Sequence, residues 1–475
     1  MANKKISDTR FTVQIKTLLA KTYGRSILKD SLVEMAIGFY ESQELALLKN
    51  DELKNRITAL AESEPKADDR GGEDLKDRIK KAEREQKDFH IELRVARENR
   101  HSKLLELARE IIHICEADEI DECNRKSSQV LGTIQLLSPT SGAKVAMINE
   151  QNKALYKAVL CLRLLDRLCL DRELGEAYIS QHLPNISCTA YATLADDEPD
   201  IYQSFIDNVK VPLVMAALIQ DIGNYHPEAQ NILVGPNKDQ DPYRVLEIEN
   251  RKELLQTNYR ETLKFLVEGI GPRTYVGNSK TEKVKFDKVE LHKLVFIKHL
   301  LKSSINPQNG IGNLLKVPQI YTSIILSTKS NYNYKLLPKV YQALNANAER
   351  GSCRQSVVDS LYKITGKYPQ GYGVTYVPKD SDGKVAEDRY EYAVVTSLYP
   401  EDPERPICRT ATRYLTFIAR GQNLVIAKEN NLYYAETAKK LSTISKKRLA
   451  EILEQLASNY REREELDLIP RCWHS

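Results

Sequence analysis

The 475 residues predict a mainly α-helical chain that ends in a small β-module. Three observations carry that expectation. Apolar residues recur at helical spacing through most of residues 10–368, and the stretch from Glu73 to about Glu119 is dense in mixed charges. Near Tyr368 the period changes to short runs rich in β-branched and aromatic residues.

In chain order, Phe11, Val13, Ile15, Leu18 and Leu19, then Leu32, Met35, Ala36 and Phe39, then Leu45 to Leu60, predict two or three amphipathic helices in a first region, 1–65. Glu64-Pro65 and Gly71-Gly72 break that pattern. A second region, 66–127, mixes both signs of charge around a sparse seam (Leu93, Leu104, Leu107, Ile111) and reads as a long helix or helical hairpin. That helix can pair within the chain or between two chains, because its seam keeps no strict heptad. The third region, 128–368, is helical: Leu155–Leu170, Val211–Ile222, Leu291–Leu301, Pro318–Leu326, Leu336–Leu344 and Ser356–Ile364 all show the period. Residues 234–245 and 271–287 read as loops. Within 369–430, Tyr372–Val377, Tyr390–Thr396, Ile407–Thr412 and Asn423–Ala427 predict an antiparallel sheet or barrel. A last amphipathic helix is expected in 431–475, around Arg448–Leu456.

Bulk composition narrows the function classes. Seventy basic residues against 66 acidic ones leave a net charge of +4, which gives no global case for nucleic-acid binding. The eight cysteines show no CxxC pair and read as reduced thiols. No apolar run is long enough for a membrane span, and no signal-peptide core follows Met1, so a cytoplasmic protein is expected. There is neither a P-loop nor a nucleophile elbow.

The segment with most chemical content is Met215-Ala-Ala-Leu-Ile-Gln220-Asp221-Ile-Gly223-Asn-Tyr-His226-Pro227, an apolar helix that ends in a carboxylate, a glycine and a histidine. Downstream, Val357–Gly366 runs into Tyr368-Pro369-Gln370-Gly371. Together these segments resemble the HD helix, the last helix and the Tyr-Pro-x-Gly exit of the HD-GYP group, over about residues 150–420. Active members of that group hydrolyse cyclic di-GMP at a metal centre. The resemblance therefore implies an HD-type helical domain and, if the chain is active, a divalent metal such as Fe, Mn or Zn that activates water.

Carried over position by position, the resemblance leaves a thin ligand set. Asp221 matches the motif aspartate, but Gln220 stands at the motif histidine, and an amide is a poor ligand for transition metals. Asn224 stands where a lysine is usual. His182 is placed near the first ligand histidine and His299 at the first of a His-His pair, whose second member here is Leu300. The later metal-binding aspartate is missing near Ser327-Thr328-Lys329. His182, Asp221 and His299 would suffice for a mononuclear site with one open position. The plain readings are a carboxylate that caps a loop or bonds backbone for Asp221 and a satisfied core histidine for His299, and His226 before Pro227 reads as a turn residue.

A second candidate lies between Arg273 and Lys302. Arg273, Lys298 and Lys302, with five further lysines, interleave with Tyr275 and Phe286, and cations beside rings suit a ligand with phosphates and flat bases. The plain reading is a solvated helix face. The expectation is then a signalling protein on a degenerate HD-GYP-like scaffold. It would be weak or silent in catalysis, without a resident cofactor, and would bind a cyclic dinucleotide or a protein partner, or form a homodimer through its N-terminal helices. A divergent metal phosphodiesterase and a structural adaptor are the alternatives.

Overall fold

Helix dominates the described residues, and the strands gather in a small C-terminal module. The computed structural model describes residues 9–24, 30–63, 69–184, 186–307, 310–379, 382–386, 389–413, 416–418, 421–440 and 445–447. The helix expected around Arg448–Leu456 lies outside the described residues.

Helix α1 (Arg10–Thr22) starts where the Thr9 side chain accepts the amide of Thr12 at 3.3 Å. A reciprocal Ser31–Glu34 capping box starts α2 (Leu32–Ala61). α3 (Asp69–Cys115) has 47 residues and is roughly 70 Å long at 1.5 Å per residue. The two long helices settle how the charged stretch pairs. Arg56 meets Glu85 at 2.7 Å, Asn50 meets His90 at 2.9 Å and Phe39 lies under Arg100, so rising numbers on α2 face falling numbers on α3. This is an antiparallel hairpin within one chain, closed over Leu53, Ala82 and Phe89. The later half of α3 leaves the hairpin and buries Leu104, Leu107, Ala108 and Ile111 in the main core.

α4 (Ile120–Leu137) and α5 (Val145–Leu170) follow, then the short α6 (Ala177–His182), α7 (Cys188–Ala192), α8 (Leu194–Asp197) and α9 (Pro199–Phe205). A π-helical turn, Ile206–Lys210, leads into α10 (Val211–Ile219), every residue of which is buried. An all-round apolar helix must lie at the centre, and α10 packs against α5 there. α11 (Pro227–Val234), α12 (Ile248–Lys264), α13 (Lys280–Ser303), α14 (Asn313–Ile325), α15 (Val340–Glu349) and α16 (Gln355–Thr365) complete the helical part. α13 begins at Lys280, inside the stretch expected to be a loop. Ser279 caps it by accepting the amide of Glu282, and its first turns are solvent-exposed, so they show no apolar period to read.

Strands β1 (Gly373–Tyr376), β2 (Glu391–Val395), β3 (Ile407–Thr410) and β6 (Asn423–Val425) form an antiparallel sheet in the order β1-β2-β3-β6, beside a hairpin of β4 (Thr412–Arg413) and β5 (Thr416–Phe417). α17 (Ala435–Lys440) follows. The register pairs Gly373 with Val394 and Cys408 with Leu424. Gly371 (φ +81°) fastens the sheet to the helices: a Cβ there would stand 2.5 Å from the Gly132 carbonyl oxygen of α4. One cluster of buried apolar residues runs from Ile15 through to Ile426, so the β-module shares the helical core. Among the described residues no helix is long and apolar enough to cross a membrane.

Within that core sits a closed ionic quartet. Arg163 and Asp166 on α5, Glu116 just after α3 and Lys210 at the end of the π-helical turn have side chains 0–7% exposed. Lys210 Nζ reaches Glu116 at 2.5 Å and Asp166 at 3.0 Å, while Arg163 bonds Glu116 and lies 2.9 Å from Asp166. Tyr191 donates to Asp166 at 2.6 Å and Tyr202 to Glu116 at 3.2 Å. Burial disfavours charge on Asp166, but Lys210 and Arg163 outweigh it and hold the carboxyl below its usual range. Burial also opposes the Lys210 charge, and Asp166 and Glu116 overcome it.

Removing one member leaves an uncompensated buried charge. Lys210→Met is expected to cost roughly 3–5 kcal/mol in urea-unfolding experiments. Because the Asp166 carboxyl is depressed, its contribution is present above the unfolded value of about 3.9 and is lost as pH falls through the folded value. The deficit of Asp166→Asn relative to the parent chain should therefore shrink as unfolding is measured at pH values below about 4.

Candidate functional site

Asp221 directly follows α10, and the short turn after it is held against α12. Gly223 makes that approach possible: a Cβ at this position would stand 2.1 Å from the Asn258 carbonyl oxygen, and its amide donates to Thr262 Oγ1 at 3.1 Å. The glycine of the motif thus serves backbone packing.

The carboxylate of Asp221 opens onto a cavity of about 210 Å³ between the N-terminal helices (Thr22, Tyr23, Leu32, Val33) and the core helices α5, α10 and α14. Lys157 Nζ on α5 donates to Oδ2 at 2.7 Å, and Gln319 Nε2 on α14 donates to Oδ1 at 2.9 Å. Lys157 is 3% exposed and Asp221 41%. Burial works against charge on Asp221, but the nearby Lys157 ammonium and its hydrogen bond prevail and keep the carboxyl below its usual range. Thr322, also on the lining, is buried, and its Oγ1 has no hydrogen-bond partner among the described residues.

The structure does not bring the three expected metal ligands together. Neither His182 nor His299 lines the Asp221 cavity, and the three do not form a group of converging ligand atoms among the described residues. His182 ends α6 with its ring 5.0 Å from Tyr178, and partial burial together with Lys293 keeps its imidazole below the usual range. His299 lies on α13, half exposed, with Nε2 3.9 Å from Glu176. Gln220, for which the resemblance would expect a histidine, is buried, with Oε1 unpartnered among the described residues. With both Asp221 oxygens engaged and an ammonium beside one of them, the donor set does not fit a divalent cation.

His226 caps α11, as a turn residue should: Nδ1 accepts the Glu228 amide at 3.3 Å. Glu228, Glu261 and His226 do each place one ligand atom within 4.8 Å of the others. The cap nevertheless assigns the ring proton to Nε2, which faces Glu261 at 3.7 Å. A metal on Nε2 would drive that proton onto Nδ1 against an amide N–H, so the ring is set to hold a proton there.

The second predicted constellation is partly assembled. Arg273 stacks over Phe286 at 5.5 Å, and Tyr275 lies 5.6 Å from the same ring. Arg273 also lines an open groove of about 760 Å³ beside α1 and α3, with Lys21, Arg109 and His113 and the carboxylates Glu106 and Glu110. Lys298 and Lys302 are exposed on α13 and do not line it.

Sequence reading missed Lys157, Gln319 and the whole quartet. The available signal was a lysine, an arginine and an aspartate inside the apolar run Leu155–Leu170, because ionised groups on a largely buried helix require partners. Neither a family model, nor a curated protein, nor a solved structure matches this chain.

Asp221→Asn should destabilise the protein by about 1–2 kcal/mol at neutral pH, a charge-assisted bond discounted for the exposure of the carboxylate. The Asp221 carboxyl is depressed, so its contribution exists above about pH 3.9 and disappears as pH falls through the folded value. Denaturant midpoints for the two proteins should therefore converge on acidification.

Proposed function

We propose that this chain is a signalling protein on a degenerate HD-GYP-like scaffold that acts by binding and not by hydrolysis. One observation carries the reading: Lys157 and Gln319 hold both oxygens of Asp221, so an ammonium stands beside the carboxylate on which an active relative would mount its metal. The separation of His182 and His299 from that cavity supports it.

Size separates the ligand candidates. The Asp221 cavity, at about 210 Å³, falls below the roughly 300–1,000 Å³ usual for drug-sized ligands and suits a small polar molecule. A whole cyclic dinucleotide is better matched to the groove of about 760 Å³, where Arg273 offers a planar cation to a phosphate. The hairpin supports a role for a protein partner or a second copy, since Leu45, Leu47 and Leu48 are 58–69% exposed on α2.

Isothermal titration with cyclic di-GMP is expected to show binding that weakens about tenfold or more in Arg273→Ala, the effect of losing one charge-assisted phosphate contact. The same protein, with Mn, Fe or Zn supplied, should leave the dinucleotide intact, and Gln220→His should not create turnover. Hydrolysis that needs metal and vanishes in Asp221→Ala would sink the binding reading and restore the phosphodiesterase alternative.

A further inference from the structure

α13 turns an unusual face to solvent. Lys280, Val284, Lys288, Leu291, Val295, Lys298 and Lys302 follow one another at spacings of three or four residues and so share one side of the helix, with Lys283 and Lys285 on its flanks. Val284 is 69% exposed, Leu291 51% and Val295 55%, and the six lysines are exposed as well. The opposite side, with Phe296, Ile297, Leu300 and Leu301, is buried in the core. Among the described residues none of these six lysines has a carboxylate within 4.0 Å, in contrast to Lys293, which meets Glu290 at 3.0 Å. Glu282 and Asp287 are the exposed acids of the helix.

The chemistry of the row selects its partner. Unpaired like charges three and four residues apart repel, and an anionic surface relieves that repulsion. A partner helix is a poor match, because lysine occupies four of the seven positions in the row and would be buried at a helix–helix seam. Single-stranded nucleic acid is a poor match too: the row contains no aromatic ring on which to stack a base, and Phe286 is already covered by Arg273. A lipid headgroup layer fits both halves of the pattern. Lysine stems lie along apolar surface while their ammonium groups reach phosphates, and the three aliphatic side chains can enter the interface. We propose that the exposed face of α13 is a docking surface for an anionic membrane, which the chain would meet peripherally.

The test is co-sedimentation of the full-length chain with phosphatidylcholine vesicles that contain or lack about 30% phosphatidylserine, at an ionic strength near 0.1 M. Binding is expected only with the anionic lipid. The partition coefficient should fall about fivefold per lysine, hence on the order of a hundredfold in Lys288→Gln/Lys298→Gln/Lys302→Gln. Leu291→Asp should weaken it further, and circular dichroism should show both variants folded. Equal binding to neutral vesicles, or a triple variant that partitions like the parent, overturns the proposal. So does the absence of vesicle binding, and retention by polyglutamate or single-stranded RNA in that case would assign the face to a protein or a nucleic acid.

Discussion

The quartet of Glu116, Arg163, Asp166 and Lys210 is the constraint on which the helical body depends. Four charged side chains lie in the interior with no more than 7% exposure each, and each is tolerable only because the other three are in place. Such a group specifies position more sharply than apolar contact does, since a slide of a few ångströms that Leu and Val would accept would leave an ammonium unpaired. Its members come from the end of α3, from α5 and from the π-helical turn before α10, so it fixes the relative placement of the three. The extra residue per turn of a π-helix re-aims the side chains that follow it, and Lys210 stands at the end of that turn. α10 then runs from that fixed point to Asp221.

The same solution is repeated on a smaller scale at Asp221. A carboxylate at the end of a buried apolar helix needs a cation, and Lys157, set on α5 six residues before Arg163, supplies one. An ammonium satisfies a carboxylate with directional hydrogen bonds and no open coordination position, so it provides structure without Lewis acidity. Gln319 completes the arrangement from α14. Asp221 thereby ties three helices together, which is reason enough for a carboxylate here apart from any catalysis.

Much of this architecture was legible in the sequence. Val211–Ile219 declares a central helix by being apolar on every side and Leu155–Leu170 by an apolar run broken only by a few charges, and the strands at Tyr372, Tyr390, Ile407 and Asn423 stand out because β-branched residues and turns leave a local signature. Arg273 with Tyr275 and Phe286 was legible too, since the three residues are close in sequence and meet in space. The first turns of α13 were not, because an exposed helix needs no apolar period. The quartet was not legible for a different reason: Glu116 and Arg163 are 47 residues apart, and no local pattern records a contact at that distance. The convergence of His182, Asp221 and His299 was inferred from a motif whose spacing was only approximate, and the structure sends α6 and α13 to a different seam from Asp221.

Charge is distributed over the three exposed features in a way that divides their roles. The Asp221 cavity carries Glu150, Lys153, Lys157 and Asp221, two of each sign, and each cation is paired internally, Lys153 with Glu150 at 2.8 Å and Lys157 with Asp221 at 2.7 Å. Its interior field is close to neutral, so occupancy there is decided by hydrogen bonds and shape. The groove beside α1 and α3 sets Lys21 against Glu110 at 2.5 Å and pairs Arg109 with Asp207 at 3.1 Å, which leaves Arg273 on its aromatic stack as the cation most able to take a phosphate. On α13 the six exposed lysines have no such partners among the described residues, Lys293 with Glu290 being the paired exception. Cationic side chains without an ionic partner among the described residues therefore lie on the surface of α13, whereas those beside Asp221 are neutralised where they stand.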